Sequence, residues 1–363
     1  MIEALERRLA ALVAARSVSS HHPALEDPPD HVVAVLREQL DAIGAHCQVH
    51  TVSERGRPVL TADIGPVDRP FGAVLLGHID TVPAVEPDCW SGDPWQLARR
   101  DQRWTGLGTA DMKGFFACAG TVLERMRNRL AKRIRIIATT DEESGMQGMR
   151  GAVEHGLVPL APVVVGEPTG GAVAGGCRGL VAFRIVLSGI EGHSSQPPEH
   201  GRAIDALGAL IRTAREQERA WGTAADRKHG AATMNLGRVH GGDAFNRLVA
   251  RITVDGEMRL PPGMSIADAE AVLDRLVGAA RQEGVGAEVE ILERFLPCIN
   301  PDDGALPIMP YVCEASLLPR GQAFRIWGPG DLDQAHRIDE SLDIETAARY
   351  CDDLEAWLME CCG

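Results

Sequence analysis

Four short stretches of this chain end an apolar run on groups that can bind a metal or move a proton. Ala73-Val74-Leu75-Leu76-Gly77 gives way to His78 and Asp80, and Ile134-Arg135-Ile136-Ile137-Ala138 leads through Thr139-Thr140 into Asp141-Glu142-Glu143. Val163-Val164-Val165 reaches Glu167, and Phe324-Arg325-Ile326-Trp327 is followed by His336. Residues i and i+2 of a strand share a face, so His78 and Asp80 can meet. An imidazole that binds a metal commonly passes its second N–H to a carboxylate, which fixes its tautomer. Taken singly, each stretch is weak, because an acidic residue after a strand is usually a helix cap. Four such placements on one edge are a stronger signal.

Asp111 joins the set from a glycine-bearing loop, Thr105-Gly106-Leu107-Gly108-Thr109-Ala110-Asp111. The candidates are therefore His78, Asp80, Asp111, Glu142, Glu143, Glu167 and His336. Two imidazoles with three or four carboxylates suit divalent zinc, cobalt or manganese and need no thiolate. The set is too large for one tetrahedral zinc and fits two ions with one carboxylate bridging. Two metals about 3.5–4 Å apart lower the pKa of a shared water and polarise a carbonyl together. One further carboxylate, not a ligand, can then serve as general base.

Helical segments at 30–44 and 113–130 alternate with these strands, and 49–64 holds two more strands. This alternation predicts an α/β domain with a mostly parallel sheet, in which ligands bind beyond the strand carboxyl ends. The middle of the chain reads differently. Strands are expected at 178–190, 233–239, 248–258 and around Val289 and Ile291, with helices at 203–220 and 265–282, the second opened by Ser265 and Asp268. That order, βαββαβ, is a ferredoxin-like α+β unit, inserted because the strand at 324–327 returns to the first pattern. The expected division is 1–175 with 295–363, and 176–294.

The chain has 363 residues, 45% of them hydrophobic and 24% charged, with a formal charge of −14. This acidity and the lack of a Lys/Arg cluster argue against a nucleic-acid surface. No stretch approaches the length of a membrane span, and residues 1–18 read as an amphipathic helix, not a secretory signal. The nine cysteines are scattered without a Cys-x-x-Cys pair. A reduced, cytoplasmic setting is expected.

The chain resembles the M20 dinuclear metallopeptidases and deacylases, and within them the acetylornithine deacetylase branch. The resemblance is carried by Gly77-His78-Ile79-Asp80-Thr81-Val82-Pro83, Gly106-Leu107-Gly108-Thr109-Ala110-Asp111-Met112-Lys113-Gly114 and Asp141-Glu142-Glu143. It continues through Gly166-Glu167-Pro168-Thr169, Gly192-His193-Ser194-Ser195, and Gly328-Pro329-Gly330-Asp331 to Gln334-Ala335-His336. The resemblance implies that His78 and Glu167 hold one metal, zinc or cobalt, that Glu143 and His336 hold the other, and that Asp111 bridges them. Asp80 would orient His78, and Glu142 would be the general base.

The same likeness implies a homodimer formed through the inserted unit, a lid. His193 would come from the partner's lid to stabilise the tetrahedral oxyanion. Asn246, Arg259 and Gly330 would contact substrate, an Arg being suited to a planar carboxylate. The implied activity is release of acetate from an N-acetyl amino acid, N-acetyl-L-ornithine first. The rivals are related acyl-amino-acid deacylases of the acetylcitrulline or succinyl-diaminopimelate type and a dipeptidase, or, from another class, an inactive relative that binds a metabolite or partner. The chain departs from the family pattern at 296–310, which is shorter than usual, and at Arg178, where Lys is common.

Overall fold

The computed structural model describes all residues except 21, 53–55, 85, 225–228 and 303. The fold is α/β with mixed sheets, and the chain forms two compact units. The first comprises 1–176, 300–307 and 313–363; the second comprises 177–299 and 308–312.

A six-stranded sheet organises the first unit, in the order His46–Thr51, Pro58–Ile64, Arg133–Thr139, Phe71–His78, Val163–Pro168, Phe324–Gly328. The last four strands are mutually parallel. Pro58–Ile64 is antiparallel to both of its neighbours, so the sheet is mixed, with its antiparallel pairings confined to one side. Hydrophobic pattern reports burial and not direction, and a short connection can only join antiparallel neighbours. The parallel strands are covered on both faces, as such strands must be: Ala73, Val74, Leu75, Leu76, Val163, Val164 and Val165 are all fully buried.

Helix Lys113–Met126 crosses between Phe71–His78 and Arg133–Thr139, and helix Gln147–Glu154 crosses from there to Val163–Pro168. The first packs so closely that a Cβ at Gly166 would stand 2.1 Å from Phe115 Cγ. That helix stops at Met126, short of the expected end, and residues Arg127–Arg129 tighten into a 3₁₀ turn. The N-terminal helix likewise ends early, at Ala14. Beyond it the chain runs beside the site: Ser17 Oγ donates to the Ile79 carbonyl at 2.7 Å and Ser19 N–H donates to the Thr81 carbonyl at 2.9 Å. No helix among the described residues is long and apolar enough to cross a membrane.

The second unit is a four-stranded sheet ordered Thr233–Gly241, Arg251–Leu260, Gly179–Ser188, Gly286–Phe295, with every pairing antiparallel. Helices Ala203–Ala224 and Ile266–Gln282 supply the connections that give a strand–helix–strand–strand–helix–strand order. Val181, Phe183, Ile185 and Leu187 alternate into its core, the period a sheet with one covered face imposes. Ser265 and Asp268 form a reciprocal capping box at the second helix. The segment 296–310 carries two-residue strands, Cys298–Ile299 and Ile308–Met309, flanking Gly176–Cys177.

Candidate active site

Register explains why the candidate residues of the first unit converge. His78, the last residue of its strand, pairs with Thr139, the last of the neighbouring one, and Leu76 pairs with Val165 on the other side. Asp80, Glu142, Glu143 and Glu167 are therefore delivered at one sheet edge. Glu142 and Glu143 occupy a single 3₁₀ turn after Asp141, whose φ of 72° turns the chain sharply. Asp111 comes from the loop before helix Lys113–Met126, and His336 from the segment after Phe324–Gly328.

Asp111 stands between the two imidazoles. Its Oδ1 is 3.2 Å from His78 Nε2 and its Oδ2 is 3.4 Å from His336 Nε2. Glu167 Oε1 lies 3.8 Å from His78 Nε2, and Glu143 Oε1 lies 2.8 Å from His336 Nε2. Among the described residues three overlapping groups could hold a metal, His78–Asp111–Glu167, Asp111–Glu143–His336 and His78–Glu142–Glu143.

Asp80 is fully buried and serves both strands. Its two carboxylate oxygens accept the N–H groups of Glu142 and Glu143, each at 3.2 Å. His78 Nδ1 faces the Asp80 carbonyl at 3.1 Å, with the carboxylate behind it at 3.5 Å. An Nδ1–H so engaged leaves Nε2 to face the ligand cluster.

Burial and crowding of like charges govern the carboxylates of this site. Burial, and then the neighbouring Glu143, Glu314 and Asp80, push Glu142 well above the usual carboxylate range. Burial with Asp111 and Glu142 does the same to Glu167, and burial raises Glu143. Burial works the same way on Asp111, but hydrogen bonds from His336 and His78 override it and pull Asp111 down. Hydrogen bonds with Asp111 and Glu143 carry His336 up to about 11. His78 rises as well: burial opposes its charge, but Asp111 and Asp80 outweigh it. Glu167 Oε1 is buried with no hydrogen-bond partner. Crowded carboxylates, an orphaned oxygen and imidazoles are a donor set that divalent cations satisfy.

The remaining candidates are distributed as follows. Gly330 is buried in the first unit, where a Cβ would meet the Ala110 carbonyl oxygen at 2.0 Å, so glycine is required by close backbone approach. His193, Asn246 and Arg259 belong to the second unit. His193 Nδ1 accepts the Ser195 N–H at 3.1 Å and lies 2.7 Å from Ser195 Oγ, which puts the proton of the neutral ring on Nε2. The exposed Asn246 holds the same loop, its carbonyl accepting from Ser194 N–H at 3.1 Å. Arg259 is gripped by Glu257 through two hydrogen bonds, at 3.1 and 3.0 Å.

Sequence reasoning assigned no role to three fully buried charged groups beside this cluster, Lys113, Glu314 and Glu340. Lys113 Nζ donates to the Ala15 carbonyl at 2.9 Å, and burial lowers its pKa to about 7. Glu314 accepts from Thr139 Oγ1, and burial raises it to about 7. The available signal was a charged residue set among small or apolar neighbours, as in Cys313-Glu314-Ala315 and Met112-Lys113-Gly114.

A profile described as peptidase family M20/M25/M40 matches residues 74–360. The chain belongs to this family. An acetylornithine deacetylase of Edwardsiella ictaluri is 32% identical over 361 residues, covering 92% of each protein. Among solved structures, an M20 family metallo-carboxypeptidase from Sulfolobus solfataricus superposes with a TM-score of 0.80 at 16% identity, over 98% of both chains. A Bacillus subtilis protein described as a dinuclear metal binding peptidase from the M20 family gives 0.65 at 17% identity, over 99% of both. At such identities these two structures share the M20 fold with this chain.

Proposed function

We propose that this M20 protein is a dinuclear metal amidohydrolase that removes the acetyl group from an N-acetyl amino acid, N-acetyl-L-ornithine first, in amino-acid biosynthesis in the cytoplasm. The observation that carries the reading is the division of the Asp111 carboxylate between His78 and His336. The substrate preference rests on the similarity to the acetylornithine deacetylase.

His78 and Glu167 would hold one ion, Glu143 and His336 the other, and Asp111 both. Zinc or cobalt ions bound there would polarise the amide carbonyl and acidify a shared water. Glu142 takes the proton of the attacking water and delivers it to the departing amine. Glu142 sits beside the ligand Glu143 in the turn after Asp141, and a carboxylate there can both accept and return a proton. Asp80 holds His78 and the Glu142–Glu143 turn in place.

In this reading residues 1–175 with 295–363 are catalytic, and 176–294 form a ferredoxin-like lid that dimerises. His193 would reach the partner's site, its Nε2–H donating to the oxyanion. Arg259, Asn246 and Gly330 would contact substrate, Arg259 by exchanging Glu257 for the substrate carboxylate. The complete set of ligands and base argues against an inactive relative.

The test is free-amine release from N-acetyl-L-ornithine by zinc- or cobalt-loaded protein, beside Glu142→Ala. Release by the native chain with loss of several orders of magnitude in the variant supports the reading. No release would overturn the substrate, and equal release by the variant would overturn the role of Glu142.

A further inference from the structure

We infer that Glu340 is a positioning residue for the bridging carboxylate, fixing Asp111 by gathering the backbone N–H groups of its loop. Glu340 is 1% exposed. Its Oε1 accepts from Ala110 N–H at 2.8 Å and from Asp111 N–H at 3.0 Å, and its Oε2 accepts from Gly108 N–H at 2.9 Å. The Glu340 backbone carbonyl takes a fourth donor, Gly106 N–H, at 2.9 Å. One residue thus satisfies four donors of the 106–111 loop.

The register of the neighbouring strands brings this about. Ser341–Asp343 pairs antiparallel with Arg103–Thr105, setting Ser341 opposite Thr105. That pairing sets Glu340 against the start of the loop. On the other side Gly330 lies against the Ala110 carbonyl with no space for a Cβ. Asp111 is therefore held between two parts of one segment, and that same segment delivers His336, four residues before Glu340.

A carboxylate is the chemically required group. It offers two acceptor oxygens and no donor, so it can meet three N–H groups at once. Burial raises Glu340 to about 7, while the Gly108, Asp111 and Ala110 N–H groups favour its ionised form. A glutamine of the same shape would set its NH₂ against at least one of these N–H groups. Glu340 touches neither imidazole, so it acts through Asp111. Outer-shell partners of this kind change metal affinity or activity by about 10–100-fold.

The inference rests on the proposal that Asp111 bridges two metals, and the experiment separates the two. Zinc affinity is measured by chelator competition on native protein, Glu340→Gln and Asp111→Ala, with thermal unfolding of each apo form. The expected result is a loss of zinc affinity of about 10–100-fold in folded Glu340→Gln, with kcat falling and KM nearly unchanged. Lower thermal stability with native zinc affinity and kcat would make Glu340 a structural residue only and overturn the inference. Failure of the native protein to bind zinc would instead overturn the metal reading itself.

Should Glu340→Gln not fold, amide hydrogen exchange on the native chain decides. The Gly108, Ala110 and Asp111 amides are expected to be protected in the apo and the zinc-loaded protein alike. Rapid exchange in the apo protein would show that the metal, and not Glu340, orders the loop.

Discussion

Nε2 of His78 lies 3.2 Å from Oδ1 of Asp111, and the other oxygen of that carboxylate faces His336. The two halves of the site are thus joined by one side chain, while Asp80 holds His78 and the Glu142–Glu143 turn.

Asp80→Asn keeps the size of the side chain but turns a donor toward a Glu142 or Glu143 N–H. The turn that carries the base and a ligand then loses part of its support. Kcat is expected to fall about 10–100-fold, the range for outer-shell partners, with a smaller change in KM. Steady-state kinetics on the metal-loaded variant checks this, and native kcat would remove Asp80 from the account.

The stabilisation given by metal should grow with pH. His78 and His336 are raised above the ordinary histidine value in the metal-free protein, His336 to about 11. A raised folded pKa means that the His–carboxylate pairs stabilise fully below the unfolded value of about 6.5 and fade as pH rises toward about 11. Metal ligation needs the neutral imidazole, so affinity moves the opposite way. Tm of the zinc-loaded protein minus Tm of the apo protein is therefore expected to widen from pH 6 to pH 9, and calorimetry should detect protons released on binding.

Gly166→Ala places a methyl group against the Phe115 ring, where the nearest approach is 2.1 Å. Both neighbours are buried in the sheet–helix interface, so the ring cannot simply swing into solvent. The expected cost is about 1–3 kcal/mol, as for overpacking in general. Urea unfolding with an unchanged m-value measures it.

His193→Ala is expected to lower kcat about 10²–10³-fold, as loss of an oxyanion donor does, while zinc stoichiometry stays native. If His193 serves the partner's site, mixing His193→Ala with Glu142→Ala subunits should restore activity that neither variant has alone. Absence of any recovery on subunit exchange would place His193 in its own protomer's site or outside catalysis.

The site was legible where chemistry coincides with a strand end. The apolar runs before His78, Glu142 and Glu167 announce buried strands, and the polar residues that stop them stand at one edge because parallel pairing aligns those ends. The antiparallel pairing of Pro58–Ile64 with Arg133–Thr139 was not legible, since apolar periodicity carries no direction and no short connection joins the two. Nor was the early end of the first helix at Ala14, because residues 17–19 are held by the distant Ile79 and Thr81. Glu340 was silent in the sequence for a similar reason. Its partners are backbone donors about 230 residues away, which no spacing rule connects.

The most direct test of the account is the zinc content of native protein and Asp111→Ala, each loaded to saturation, freed of weakly bound metal and assayed on N-acetyl-L-ornithine. The account predicts two tightly bound ions and amine release in the native protein, with both ions weakened and activity lost by several orders of magnitude in the variant. Two tight ions and near-native turnover in Asp111→Ala would contradict it, because no bridging role for this carboxylate could then stand.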